Sequence, residues 1–358
     1  MNHDRRRTLA WLLGVATGVG AGAAGVAISR TAISGDRRRA DPEARERLAE
    51  LPAEDLGPVV SFDGTLLTVR SAGDPSNPVV VFSHGFSLDM TTWHYQWKEL
   101  SERYRCVLFD HRGHGESGAA EGSDYSLQAM GEDLVAVLDA AVGEGPAILV
   151  GHSMGGMAIL AMAERHPEEF RSRIAGVVFA DTAAAEVARG ALAGVTARIH
   201  ALVSAPKRAE RIHRFLRAGQ SDLAYAVARL TQFGPKAPPS MVDHVARISG
   251  RAPLEVWGDG LAGILRMDFR HAVEHVRVPS LVVVGDVDRV TPPASALALK
   301  DALPDADLVV LKGAGHLAMM ERHEQFNRVV GRFLDRVTAD VANRAALPAP
   351  PARSGRQR

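Results

Sequence analysis

The chain has 358 residues, of which 46% are hydrophobic, 23% charged and 5% aromatic, a composition that supports a packed core and excludes wholesale disorder. Lys and Arg together number 42, as do Asp and Glu, so there is no global basic excess to hold a nucleic acid and no acidic excess to form a solvating tail. The single cysteine, Cys106, can form neither an internal disulfide nor a multi-cysteine zinc site.

Taken from the N-terminus, Arg5–Arg7 precede a run without charge from Thr8 to Ser29, which Arg30 ends and Arg37–Arg39 follow. At 1.5 Å per helical residue that run is long enough to cross a bilayer. Gly14, Gly18 and Gly22 would put a small-residue stripe on one helix face. The same stretch also reads as a cleavable signal, with Ala21-Gly22-Ala23 as the cleavage site, or as a soluble Gly/Ala-rich arm. Basic residues on both flanks leave the orientation open. The expectation is a membrane anchor of undetermined sidedness over 1–34, with secretion after cleavage as the alternative. A charged linker follows over 35–55, and a Pro/Ala/Arg-rich disordered tail covers 341–358.

Between linker and tail, Val59–Arg70 predicts a hairpin turning at Asp63-Gly64. Short β-branched runs then follow at Pro78–Phe82, Cys106–Phe109, Ala147–Val150, Ile174–Phe179, Ser280–Val284 and Asp307–Leu311. Such runs suit strands buried on both faces of a parallel sheet. Helical patterns separate them at Thr92–Arg103, Leu127–Ala141, Met154–His166, Ala294–Ala302 and Gln325–Val337. The alternation predicts an α/β fold with a mostly parallel, doubly wound sheet, its core in two parts over 56–184 and 276–340. It lapses over 185–275, where helical segments near Glu186–Val203, Arg208–Ala218, Leu223–Phe233 and Met241–Ser249 read as a cap inserted over the sheet, or as ordinary packing helices.

Ligands on such sheets sit beyond the carboxyl ends of the strands, so the chemistry is sought there. After Ala147–Val150 comes Gly151-His152-Ser153-Met154-Gly155-Gly156, a G-x-S-x-G pattern between an apolar strand and an Ala/Met/Leu-rich helix. The glycines are required because side chains two residues either side of the serine would strike the adjoining strand and helix. A serine nucleophile needs a base, and the base needs an orienting carboxylate. Gly313-Ala314-Gly315-His316 after the final strand supplies the base. Gly285-Asp286-Val287-Asp288 after the strand before it supplies the acid, with Asp288 preferred and Asp286 as the competitor. Oxyanion donors are expected from the backbone N–H groups of Met154 and of Phe86, in the loop Ser83-His84-Gly85-Phe86. The side chain of His84 is read as a brace for that loop.

Two G-x-G-x-x-G matches, Gly20–Gly25 and Gly113–Gly118, lack the strand-to-helix context of a dinucleotide site. Asp110–Ser117 is read instead as a structural turn near the active edge.

The set His84-Gly85-Phe86, Asp110–Ser117, Gly151–Gly156, Gly285–Pro292 and Gly313–His316 resembles the α/β-hydrolase superfamily over roughly residues 56–340. Its Ser153-Met154-Gly155-Gly156 elbow is similar to that of monoacylglycerol lipases, lysophospholipase-like proteins and bacterial esterases. The resemblance implies that the helical insertion is a lid bearing the substrate pocket. It also implies ester hydrolysis through Ser153, Asp288 and His316, with no metal or organic cofactor and a small-molecule acyl ester as partner. The anchor and lid together suggest a lipid-like ester and membrane association through residues 8–29. Relatives acting on other bonds (perhydrolysis, carbon–carbon cleavage, acyl transfer) and a non-catalytic binding protein are the alternatives.

Overall fold

The computed structural model describes residues 33–51, 53–143, 145–185, 187 and 222–346, the side chains of Leu223 and Ala345 apart. The uncharged run 8–29, the first G-x-G-x-x-G match and most of the first two expected cap helices lie outside these residues. Among the described residues no helix is long and apolar enough to cross a membrane.

An antiparallel hairpin of β1 (Glu54–Val60) and β2 (Leu66–Ala72) opens the sheet. Its turn is the one predicted: Ser61 N–H donates to the Thr65 carbonyl, and Gly64 takes a φ of 94° that an L side chain resists. Then come β3 (Val79–Ser83), β4 (Arg105–Phe109), β5 (Ala147–His152), β6 (Ile174–Ala180), β7 (Ser280–Gly285) and β8 (Ala306–Leu311). The strand order is β1-β2-β4-β3-β5-β6-β7-β8, antiparallel at β1–β2 and β2–β4 and parallel elsewhere. The chain leaves β3 toward one edge to form β4 and returns past it to form β5. The switch point, where the loops after neighbouring strands part and leave a crevice, therefore lies between β3 and β5.

Alternate residues of β3, β4, β5, β6 and β7 enter two different cores, whereas β1 and β2 contribute to one of them only. Val80, Phe82, Leu108, Ile148, Val150 and Val283 face one side, against α1 (His94–Leu100) and α10 (His323–Ala345). Val81, Val107, Phe109, Leu149, Phe179 and Val282 face the other, against α2 (Leu127–Ala141), α3 (Met154–Arg165) and α8 (Pro293–Ala302). Burial on both faces is why these strands read as continuous apolar runs. Helix α2 starts where Ser126 accepts the Ala129 N–H, an ordinary N-cap. Short α4 (Pro167–Arg173), with Pro at its start and Arg171 and Arg173 in its last turn, was not legible among the apolar runs.

Between β6 and β7 the described part of the insertion is helical, with α5 (Asp222–Thr231), α6 (Pro239–Ser249), a π-helical turn over Val256–Gly260 and α7 (Leu261–Arg266). Helix α9 (Ala318–Glu321) follows β8. Helix α10 runs to Ala345, five residues into the stretch assigned to the tail.

Residues 33–51, which take in most of the linker expected over 35–55, are largely irregular beyond a helical turn over 33–37, yet they lie against the body, and the last residues of that stretch open β1. Ile33, Leu48 and Leu51 are buried. Arg37 donates to Asp222 (2.8 Å) and Asp243 (3.0 Å), while Asp36 accepts from Tyr225 (2.6 Å) and Arg229 (3.1 Å), all on α5 and α6. Farther on, Glu43 accepts from Tyr95, and Glu46 binds Lys98 and His94 of α1. The segment is a strap joining helices α5 and α6 of the insertion to the core. Its charges looked solvated because their partners stand far along the chain.

One buried ion network braces the loop after β4. Arg112, with no side-chain exposure, places Nε and Nη2 each 2.7 Å from the two oxygens of Asp133, and Nη1 2.8 Å from Asp63. Arg112→Leu would strand the Asp133 carboxylate inside α2 and is expected to cost about 3–5 kcal/mol in urea unfolding. Arg112→Leu/Asp133→Leu should regain most of that loss. A single variant within about 1 kcal/mol of wild type would contradict the assignment of this network as a brace.

Candidate active site

The strand β5 ends at His152 and α3 begins at Met154, so Ser153 must make the whole turn between them. It does so at φ 50° and ψ −116°, a conformation costly for a residue with a Cβ and held by its surroundings. Ser153 N–H donates to Ala180, and its carbonyl accepts from Gly156 N–H and from the Thr182 hydroxyl. The glycines are sterically enforced as expected. A Cβ on Gly151 would lie 2.6 Å from Gly156 N, and one on Gly155 would overlap the Ser83 carbonyl.

His316 follows β8 and Asp288 follows β7, and parallel pairing of these strands with β6 and β5 brings both to the elbow. His316 Nε2 lies 3.0 Å from Ser153 Oγ, and His316 Nδ1 lies 2.9 Å from Asp288 Oδ2. All three residues are buried. Asp288 is itself fixed: its Oδ1 accepts from the N–H groups of Val290 (2.8 Å) and Thr291 (3.1 Å), and its Oδ2 from the Thr291 hydroxyl (2.8 Å). Asp286, the competing acid, is exposed and accepts the Gly313 N–H at 2.5 Å, a turn-capping role away from the imidazole.

Met154 opens α3, so its N–H is among those that a helix leaves without an intrahelical acceptor. Phe86 lies in the loop after β3, across the switch point. That loop abuts the elbow so closely that a Cβ on Gly85 would come 2.5 Å from His152 Nδ1. His84 braces it as expected: its Nδ1–H donates to the Gly85 carbonyl (2.9 Å) and its Nε2 accepts from His111 N–H (3.0 Å). Burial pushes the His84 imidazole down to about 3, so it stays neutral in this role. The ring of Phe86 meets Trp257 of the π-helical turn edge-on at 5.1 Å, which brings the inserted helical segment onto the loop after β3.

The loop Asp110–Ser117 is a structural turn. Asp110 accepts the N–H groups of Met90 (2.7 Å) and Glu116 (2.8 Å), and Gly115, at φ 51°, leaves no room for a Cβ beside that carboxyl. Burial raises Asp110 to about 7. Gly113, in the second G-x-G-x-x-G match, packs on Tyr125 and Val256.

Three residues that the sequence reading missed hold the segment around His316. His152 donates from Nε2 to the His316 carbonyl at 2.7 Å, and burial keeps its imidazole far below the usual range. Asp181 accepts from Gly285 N–H (2.9 Å) and Ala318 N–H (3.1 Å), joining the loop of Asp288 to that of His316. Burial and the Asp288 carboxylate push Asp181 well above the carboxylate range. Glu321 accepts from Gly315 N–H (2.6 Å) and Gly234 N–H (2.9 Å), and burial lifts it to about 7 against the pull of those donors and Arg322. Only His152 carried a sequence signal, its place inside the elbow motif.

The arrangement offers a hydroxyl, a base in contact with it, an orienting carboxylate and a nearby helix-start amide, which together suit nucleophilic acyl chemistry. Comparisons with known proteins agree with the fold. RutD of Caulobacter sp. (strain K31), provisionally assigned as a carbamate hydrolase, is 28% identical over 281 residues, covering 76% of this chain and 97% of that protein. The 3-oxoadipate enol-lactonase 2 of Acinetobacter baylyi is 25% identical over 288 residues, covering 78% and 99%. Among solved structures, a thermophilic esterase from Thermogutta terrifontis superposes with a TM-score of 0.66 at 26% identity, covering 80% of this chain and 99% of that one. The profile of the family described as alpha/beta hydrolase fold matches residues 78–323, well over half of the sequence, and the chain therefore belongs to that family of hydrolases.

Proposed function

We propose that this chain hydrolyses carboxylic esters with Ser153 as nucleophile, and that its substrates are lipid-like acyl esters. The observation that carries the reading is the relay from Ser153 Oγ through the His316 imidazole to Asp288, with separations of 3.0 Å and 2.9 Å. His316 Nε2 takes the Ser153 proton as Oγ attacks the ester carbonyl. Asp288 holds the proton on Nδ1 and stabilises the imidazolium. The amides of Met154 and Phe86 receive the developing oxyanion. The imidazolium then protonates the departing alcohol as the carbonyl re-forms. A water, deprotonated by His316, attacks the acyl-enzyme and releases the acid, returning Ser153 to its hydroxyl form. The names of the relatives, an enol-lactonase and an esterase among them, support acyl–oxygen cleavage.

The lipid-like part draws on the uncharged run 8–29, proposed as a membrane tether, and on the apolar Phe86–Trp257 contact between loop and cap. Profiling p-nitrophenyl esters from acetate to palmitate tests both levels. Turnover rising toward the longer acyl chains is expected. A preference for acetate would overturn the lipid reading, and no turnover of any ester would overturn ester hydrolysis. The carbamate name carried by RutD favours one second reading, cleavage of an acyl–nitrogen bond by the same groups, which an aryl carbamate in the panel would reveal.

A further inference from the structure

The backbone that carries His316 is bonded to the cap as well as to the sheet. His316 N–H donates 2.8 Å to the carbonyl of Gln232, just beyond the end of α5. Glu321, buried one turn past the base, spans the same junction with its two oxygens on Gly315 N–H and Gly234 N–H. The two backbones touch directly: a Cβ on Gly315 would lie 2.6 Å from Gly234 N, and one on Gly234 would overlap the Gly313 carbonyl. On the far side, Arg229 donates to the carbonyls of Gly234 and Pro235 and to Asp36 of the strap. A continuous set of bonds thus runs from the strap through the cap's return to the imidazole.

We propose that Glu321 is a positioning residue, which makes the Gln232–Gly234 return of the cap part of the mounting of His316 and so ties the placement of the base to the placement of the cap. Glu321 acts through the backbone of Gly315, whose N–H it fixes next to the base. Where the cap shifts, Gln232 and Gly234 draw on the base's loop, and the 3.0 Å approach of Nε2 to Ser153 shifts with them. Reaction rates are steep in such distances, since a displacement of about 1 Å can cost about 100-fold. The inference rests on Ser153 and His316 being the reacting pair.

The test uses the full chain and counts active sites with a fluorophosphonate before measuring kcat per titrated site. Glu321→Gln keeps the volume and removes a buried charge, but its amide can accept only one of the two N–H groups. It should lower kcat per site about tenfold with KM unchanged, and Glu321→Ala about 100-fold. Arg229→Met, which loosens the same return from outside, should lower kcat in the same direction by less. A purely structural Glu321 would reduce the yield of titratable sites while leaving kcat per site at the wild-type value. That outcome in Glu321→Gln and Arg229→Met would overturn the inference and leave the proposed function standing. A wild-type enzyme with no titratable serine would overturn both.

Discussion

Ser153→Ala is expected to lower kcat for an activated ester by about 10⁶-fold, leaving only the residual rate that bound water and oxyanion donors can sustain. The effect is this large because the proposed mechanism makes the hydroxyl the bond-forming atom. His316 and Asp288 have no other nucleophile to serve, so removing Ser153 Oγ silences the unit. The substitution is small on the structural side. Ser153 Oγ has His316 Nε2 as its partner, while the backbone of the elbow is held through Ala180, Gly156 and Thr182 regardless of the side chain. Thermal unfolding close to wild type should accompany the loss. A variant retaining more than a thousandth of wild-type turnover would contradict the assignment of the nucleophile.

The second large effect is expected at Asp288. In Asp288→Asn the side-chain carbonyl is drawn to the position of Oδ1, where the N–H groups of Val290 and Thr291 demand an acceptor. The amide NH₂ then takes the place of Oδ2, facing His316 Nδ1. A donor there forces Nδ1 to accept, which puts the imidazole proton on Nε2, the atom that receives the Ser153 proton in the proposed mechanism. The expected loss in kcat is about 10⁴-fold. Asp286→Asn should change kcat by no more than a few-fold, because Asp286 caps Gly313 and does not face the imidazole. Equal losses in the two variants, or a larger one at Asp286, would reverse the choice of acid.

What could be read from the sequence was local. The strand ends were legible because burial on both faces makes runs such as Ala147–Val150 and Ser280–Val284 uniformly apolar, and the residues that follow them stand at one edge of the sheet. The elbow was legible because a sharp strand-to-helix turn tolerates only glycine at 151 and 155. The hairpin followed from Asp63-Gly64. What escaped was carried by contacts between residues remote in sequence. The bonds from Glu321 to Gly234 and from Asp181 to Ala318 leave no periodic trace, nor does the pairing of Arg37 with Asp222 and Asp243. Thus residues 35–51 of the stretch read as a linker pack as a strap against the body, because their charges find partners remote in sequence. The sequence preferred Asp288 to Asp286, but nothing in it showed which carboxyl faces the imidazole. In the structure the buried Thr291 hydroxyl and amide hold the Asp288 carboxyl inward, beside His316 Nδ1, while Asp286 is exposed.

The most direct measurement is to treat the intact chain with a fluorophosphonate and locate the adduct by peptide mass spectrometry. Attack by an activated serine predicts one phosphonyl group per chain, on the peptide carrying residue 153, formed slowly or not at all when His316 is replaced by Ala. An unlabelled chain, or a label on any other residue, would contradict the central claim.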